Sequence, residues 1–452
     1  MFHKPLRGTS TFIPCLFLIM DHVNIFWFRR DLRLDDNAGL YHALKSGKPV
    51  LPVFIFDKKI LSDLPDKKDA RVSFIYDCVQ ALQFKLETWG STLQVFYDEP
   101  LAAFKKLIET YSIGGVYTNE DYEPYARQRD ASVAKLLEKS GASFRFYKDQ
   151  VIFSKDEILK DDGKPYTVYT PYAKRWRATL KEFHLKSYPI SKYKKNFYQR
   201  NPHHIPSLES MGFGRSDLEI PSAAIHESLI RNYAKTRDYP GVEGTSHLGI
   251  HLRFGTISIR KLATKAQQWS EVYLRELIWR EFYSMILWQF PEVGEGKAFK
   301  PAYDLIKWRH DEKDFRKWCG GNTGYPIVDA GMRELNTTGY MHNRVRMIVA
   351  SFLCKHLLID WRWGEAYFAE KLLDYDLMNN NGGWQWCAGS GCDAAPYFRI
   401  FNPELQTKKF DPQLTYIRKW LPEFEELTYP QPMVDHKFAR ERCLKAYKEA
   451  LA

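Results

Sequence analysis

The first third of the chain alternates between two kinds of text, and the rest does not. Five short apolar runs rich in β-branched and aromatic residues lie at 23–28 (VNIFWF), 49–56 (PVLPVFIF), 92–97 (TLQVFY), 115–119 (GVYTN) and 143–149 (SFRFYKD). Between them lie stretches of helical periodicity, such as 70–89 (ARVSFIYDCVQALQFKLETW). A strand that is apolar along its whole length must be buried on both faces. Strands alternating with helices achieve this in a parallel sheet covered on both sides. The pattern predicts an α/β domain over 20–150, built on a parallel, five-stranded, doubly wound sheet. WFRRDLRLDDN follows the first run where a GxGxxG turn would otherwise stand, so a dinucleotide is not held there in the usual Rossmann manner.

From 150 to about 215 the text is polar and proline-interrupted (YTPYAKRW at 169–176, YQRNPHHIPSLES at 198–210), which predicts an interdomain connector over 151–215. Beyond about 216 the strand signals vanish. YLRELIWREFYSMILWQF (273–290) has apolar residues at helical spacing on more than one face, and 332–361 reads as two helices around a glycine-containing turn. A mostly α-helical domain is predicted over 216–452.

At 452 residues the chain is long enough for two or three domains with large cores. Aromatic residues make up 15%, enough to suggest stacking surfaces as well as core filling. The formal charge is +11, and most of the basic surplus lies after residue 150, which points to a polyanionic partner for the helical part. The cysteines (Cys15, Cys78, Cys319, Cys354, Cys387, Cys392, Cys443) are odd in number, widely spaced and without a CxxC pair. That argues against a disulfide framework or a zinc site and fits a cytoplasmic protein. Residues 1–19 carry an apolar run too short to span a membrane, and Met20 stands directly before the first strand. They read as an extension from a start assigned too early, outside the fold. No other stretch is long and apolar enough for a membrane.

Four segments of the helical part mix charge with aromatic residues where a plain core would be apolar. RELIWRE places Glu276, Trp279 and Arg280 on one helical face, and MHNRVRM does the same for Asn343, Arg346 and Met347. LLDYDLMNN offers Asp374, Asp376 and Asn380, and WQW offers Trp384 and Trp386 within a glycine- and asparagine-rich run without clear period. As surface pairs these charges would mean little; if buried they must find partners, and a polar cofactor in a helical cavity is one way to supply them. GTSHLG (244–249) puts hydroxyl and N–H donors before a helix, which suits a phosphate but also suits a simple cap.

In this order, WFRRDLRLDDN, GTSHLGIHLRFG, ELIWREF, TGYMHNRVRM and NNNGGWQWCAGSGCDAAPYFRIFNP resemble the motifs of the photolyase/cryptochrome flavoproteins, from residue 22 to the end. The likeness is greatest to class I cyclobutane pyrimidine dimer photolyases. Enzymes for (6-4) photoproducts carry histidines where this chain has Asn343 and Met347, and plant cryptochromes carry Asp where it has Asn380. The iron–sulfur branch needs a cysteine set that is missing here, and the chain ends soon after FRIFNP, without a long signalling tail.

The resemblance implies an FAD held in the helical domain by Tyr233, Thr245, Ser246, Leu248, Arg280, Arg346, Asp374, Asp376 and Asn380, with Asn380 facing the flavin's N5. It implies a flipped cyclobutane dimer held by Glu276, Trp279, Asn343, Met347 and Trp386. Arg237, Arg280, Arg344 and Arg399 would lie near flavin phosphate or DNA backbone. Trp384, Trp361 and Trp308 would form an electron path to the surface. The implied reaction is light-driven electron transfer from reduced flavin to a pyrimidine dimer in DNA, by a monomer without a metal. The alternatives are a blue-light photoreceptor of the cryptochrome type and a cofactor-free helical nucleic-acid-binding protein. NEDYEPYARQRD (119–130) resembles part of an antenna region, for a folate or a deazaflavin. Tyr273 stands where close relatives often have Trp.

Overall fold

The computed structural model describes residues 21–452, so the reading of 1–19 lies outside the described residues. The first domain is the five-stranded sheet: β1 (His22–Phe28), β2 (Val50–Asp57), β3 (Gln94–Asp98), β4 (Ser112–Asn119) and β5 (Ser143–Tyr147). All pairs are parallel and the order is β3-β2-β1-β4-β5, so the chain winds one way from β1 and then the other. Helices α1 (Ala38–Lys45), α2 (Lys58–Ser62), α3 (Ala70–Glu87), α4 (Pro100–Thr110) and α5 (Pro124–Lys139) fill the connections. The side-chain alternation of a strand sorts the core into two layers. Phe26 and Phe28 pack with Leu40, Val79 and Leu82 on one face. Ile25 and Trp27 pack with Phe104, Leu107, Val133 and Leu137 on the other.

The predicted connector is not merely wrapped text. Residues 169–179 form α6 (Tyr169–Thr179), which the sequence reading missed because of Pro171. That proline is the third helical residue, where no intrahelical N–H is required. α6 packs on α10, and the chain before it is pinned to the same helix. The Glu281 carboxylate accepts hydrogen bonds from the Ile152 and Phe153 N–H, both at 2.7 Å, and from the Trp176 indole at 2.5 Å.

Twelve helices follow: α7 (Glu227–Thr236), α8 (Gly249–Arg253), α9 (Ile259–Trp269), α10 (Glu271–Gln289), α11 (Glu312–Cys319), α12 (Pro326–Thr338), α13 (Asn343–Ser351), α14 (Trp361–Lys371), α15 (Leu377–Ala388), α16 (Pro403–Phe410), α17 (Thr415–Trp420) and α18 (His436–Leu451). The glycine turn expected between the two helices of 332–361 is Gly339, at φ +67 after α12. A π-turn at Phe352–His356 continues α13. α15 is the pivot, packed against α10, α13 and α14. A buried ion cluster joins the two domains: Arg260 of α9 lies 2.7 Å from Asp149 and 3.0 Å from Asp36, and Arg33 lies 2.7 Å from Asp149.

Candidate active site

The run that looked least regular, NNNGGWQW, is helical: it forms most of α15. Two adjacent glycines in a helix interior are unfavourable by intrinsic propensity. They persist here for two different reasons. A Cβ on Gly382 would lie 2.4 Å from the Tyr283 ring of α10, so that contact requires glycine. A Cβ on Gly383 would meet nothing within 4 Å, because Gly383 faces a cavity.

That cavity has a volume of about 500 Å³ and is walled by α7, α10, α13, α14, α15 and the loop before α15. Twelve of the residues singled out in the sequence line it: Tyr233, Glu276, Trp279, Arg280, Asn343, Arg346, Met347, Asp374, Asp376, Asn380, Trp384 and Trp386. They divide by depth. Arg280, Asp376, Asn380 and Trp384 are buried, whereas Glu276, Trp279, Met347 and Trp386 are half-buried and Asn343 is exposed. The outer set therefore forms a rim with two indoles and one carboxylate; the inner set, with the half-buried Arg346–Asp374 pair beside it, forms a polar floor.

The floor is charged and incompletely satisfied. Arg346 lies 3.0 Å from Asp374 Oδ2 and donates from Nε to the Met341 carbonyl at 2.7 Å. Asp374 Oδ1 is buried with no hydrogen-bond partner among the described residues, an acceptor that a ligand or an ordered water can fill. Gly249 lets α8 approach that carboxylate, since a Cβ there would lie 2.6 Å from Asp374 Oδ2. Arg280 donates to the Gln150 carbonyl at 2.6 Å, and its nearer carboxylate, Asp376, is 3.9 Å away. Burial pulls its basicity down, outweighing that distant partner. The Asn380 amide donates to the Glu365 carbonyl at 3.0 Å.

At the rim, Glu276 pairs with Arg237 and lies 3.4 Å from Arg275. Trp279 stacks on Tyr169 of α6, with centroids 3.7 Å apart and 4° between planes.

Other expected residues stand outside the wall. The Thr245 and Ser246 hydroxyls meet those of Tyr340 and Tyr273, at 3.0 and 2.8 Å, and Leu248 is buried at the start of α8. Arg237 reaches the cavity through Glu276. Arg344 pairs with Asp238 at 2.6 Å and lies over the Phe410 ring, whereas Arg399 is exposed in the loop after α15. Trp361 is buried in the core that also holds Trp384, and Trp308 is half-buried against it. The Trp384 ring needs Gly364, since a Cβ there would lie 2.1 Å away. Sequence reasoning missed Tyr283, Tyr375, Asn379, Gly383 and Cys387 on the wall. It also missed Arg30, although the WFRRD segment that holds Arg30 was among the segments singled out.

A doubly wound domain joined to a helical domain with a charged cavity under an aromatic rim is a build that suits a cofactor-dependent protein. The comparisons name that class. A family profile described as "FAD binding domain of DNA photolyase" matches residues 273–428, and one described as "DNA photolyase" matches 24–190. A deoxyribodipyrimidine photo-lyase from Synechococcus sp. is 37% identical, over 95% of this chain and 97% of its own length. A bacterial class III photolyase from Agrobacterium tumefaciens superposes with a TM-score of 0.82 at 34% identity, covering 97% of this chain and 99% of its own. A Synechocystis cryptochrome superposes with 0.81 at 26% identity, covering 94% and 99%. The chain belongs to the DNA photolyase family and carries that family's FAD-binding domain.

Proposed function

We propose that the protein is a light-dependent DNA repair lyase that opens cis-syn cyclobutane pyrimidine dimers, with FAD as working cofactor. The observation that carries this reading is the division of one cavity into a polar floor with an orphaned carboxylate oxygen and an outer rim of indole faces and a carboxylate. The residues fit FAD: Asp374 has an acceptor to spare, the nearest counter-ion of Arg280 among the described residues is 3.9 Å away, and Gly383 leaves room beside α15. Tyr233, Arg346, Asp376 and Asn380 would complete its binding, with Thr245, Ser246 and Leu248 at the α8 end. Bound in its reduced form, FAD supplies an electron on excitation by blue light.

The chain's own groups position the lesion. A dimer must leave the duplex to reach the cavity. Trp279 and Trp386 offer faces to its bases, each stack contributing ~1–3 kcal/mol. Glu276, with Arg237 and Arg275 beside it, accepts the imide N–H groups of the dimer, while Asn343 and Met347 close the other side. Trp384, Trp361 and Trp308 serve as the route by which an oxidised cofactor is re-reduced. Residues 20–150 form the antenna-type domain for a folate or deazaflavin pigment, 151–215 the connector and 216–452 the catalytic domain. The protein works as a cytoplasmic monomer; among the described residues no helix is long and apolar enough to cross a membrane.

A dimer-containing oligonucleotide incubated with pre-reduced protein in blue light and in darkness tests the reading. Dimer loss in light alone supports repair. No loss, with FAD bound and a light-dependent absorbance change, favours the blue-light sensing to which the cryptochrome likeness points.

A further inference from the structure

We propose that Arg30, contributed by the α/β domain, is a positioning residue of the cofactor site, clamping the Asp376 carboxylate so that the cofactor is held by both domains. This rests on the reading of the cavity as the FAD site. Arg30 leaves the first domain in the loop after β1. Its Nη2 lies 3.1 Å from Asp376 Oδ1, and its Nη1 lies 2.9 Å from Glu123 and 3.2 Å from Asp121. Its Nε donates to the Arg253 carbonyl at 3.3 Å. The guanidinium fork is thus engaged along its edges, a geometry that an ammonium does not reproduce.

The backbone beneath is fixed as well. Gly255, at φ +62, lies so close that a Cβ would stand 2.3 Å from the Arg30 carbonyl, and Leu32 N–H donates to the Phe254 carbonyl at 3.0 Å. Arg30 is pre-positioned, and little freedom is lost when it grips its target.

Asp376 does two things at once: it is the N-cap residue of α15 and it lines the cavity. Among the described residues its other cationic neighbours are more distant, Arg253 at 3.6 Å and Arg280 at 3.9 Å. Burial alone would push the Asp376 carboxyl up; Arg30, then Arg253 and Arg280, outweigh it and hold the group below its usual range. Without Arg30, Asp376 is left with Arg253, which Glu123 already holds at 2.6 Å, and Arg280 at 3.9 Å. The cheapest relief is protonation, and a protonated Asp376 offers the cofactor a donor in place of an acceptor.

The test uses purified holoprotein and reads FAD release by the rise in flavin fluorescence after dilution. Arg30→Met and Asp376→Asn should each speed release about tenfold, and the double variant should release no faster than Asp376→Asn alone, because the coupled pair is already broken. Arg30→Lys should fall between wild type and Arg30→Met. Arg260→Lys, which loosens the second buried interdomain cluster, should lower the melting temperature and leave FAD release unchanged. If Arg30→Met does not fold, the cycle is run with Arg30→Lys. Multiplying effects in the double variant, or an Arg260→Lys release as fast as Arg30→Met, overturns the role of Arg30. Wild-type release by Asp376→Asn overturns the FAD reading of the cavity, and this inference with it.

Discussion

Glu276 stands ready before substrate arrives. Arg237 pairs with it and Arg275 lies 3.4 Å away, so the carboxylate is fixed in position. In the role proposed for Glu276, truncation would leave the lesion's N–H donors unpaired, at ~1–3 kcal/mol. Glu276→Ala should therefore weaken binding of dimer-containing DNA by roughly tenfold while FAD content stays at wild-type level. Titration against a dimer-containing duplex, with the flavin absorbance of the same sample, checks both halves. Trp308 presents a different case. Its indole N–H is buried without a partner among the described residues, and its ring lies edge-on to Tyr447 with centroids 5.9 Å apart. Trp308→Phe should preserve repair by chemically reduced enzyme and slow photoreduction of oxidised flavin, followed by absorbance under blue light with external reductant. Equal photoreduction rates would move the electron route elsewhere, and Trp318, 6.1 Å from the Trp384 ring, would be the next residue to change.

At the scale of elements, the two glycines of α15 make opposite predictions from one dipeptide. Gly382→Ala drives a methyl into the flat Tyr283 ring, 2.4 Å away, and overpacking of this kind costs ~1–3 kcal/mol. Its melting temperature should fall. Gly383→Ala enters open space and gains ~0.5–1 kcal/mol of helix propensity, but its methyl projects into the cavity. It should melt higher and hold less FAD; a Gly383→Ala protein with full FAD content would refute the placement of cofactor against this face. The same helix shows where sequence reading stops. The strands were legible because burial on both faces leaves near-continuous apolar runs, and Phe26 and Trp27 pack into opposite layers as that pattern requires. Glu276, Trp279 and Arg280 were legible because helical spacing alone puts them on one face. α15 was not legible as a helix, because its residues answer to a ring on one side and a cavity on the other, and its propensity is poor. α6 was obscured by Pro171, which is harmless in a first turn.

The whole molecule carries a formal charge of +11, so its affinity for DNA should fall steeply with salt. Arg399 is exposed and bears no ion pair among the described residues, whereas Arg344 already faces Asp238. Arg399→Ala should lower the slope of log K against log salt by about 1, and Arg344→Ala by less, since its charge is partly spent inside the protein. Binding isotherms at several salt concentrations decide this. An unchanged slope for Arg399→Ala would place the phosphate contact elsewhere.

Chain order adds a consequence in time. The last strand of the sheet ends at Tyr147, yet Arg30 meets Asp376 across 346 positions. On the ribosome the α/β domain is finished long before the carboxylate it must grip has been made, and α10 emerges well ahead of α15, the helix that covers it. Domains fold as units during synthesis, the first before the last. The cavity proposed to hold the cofactor is consequently completed only in the final third of translation. A nascent chain stalled before residue 376 already owns half of the clamp but has nothing to close it on.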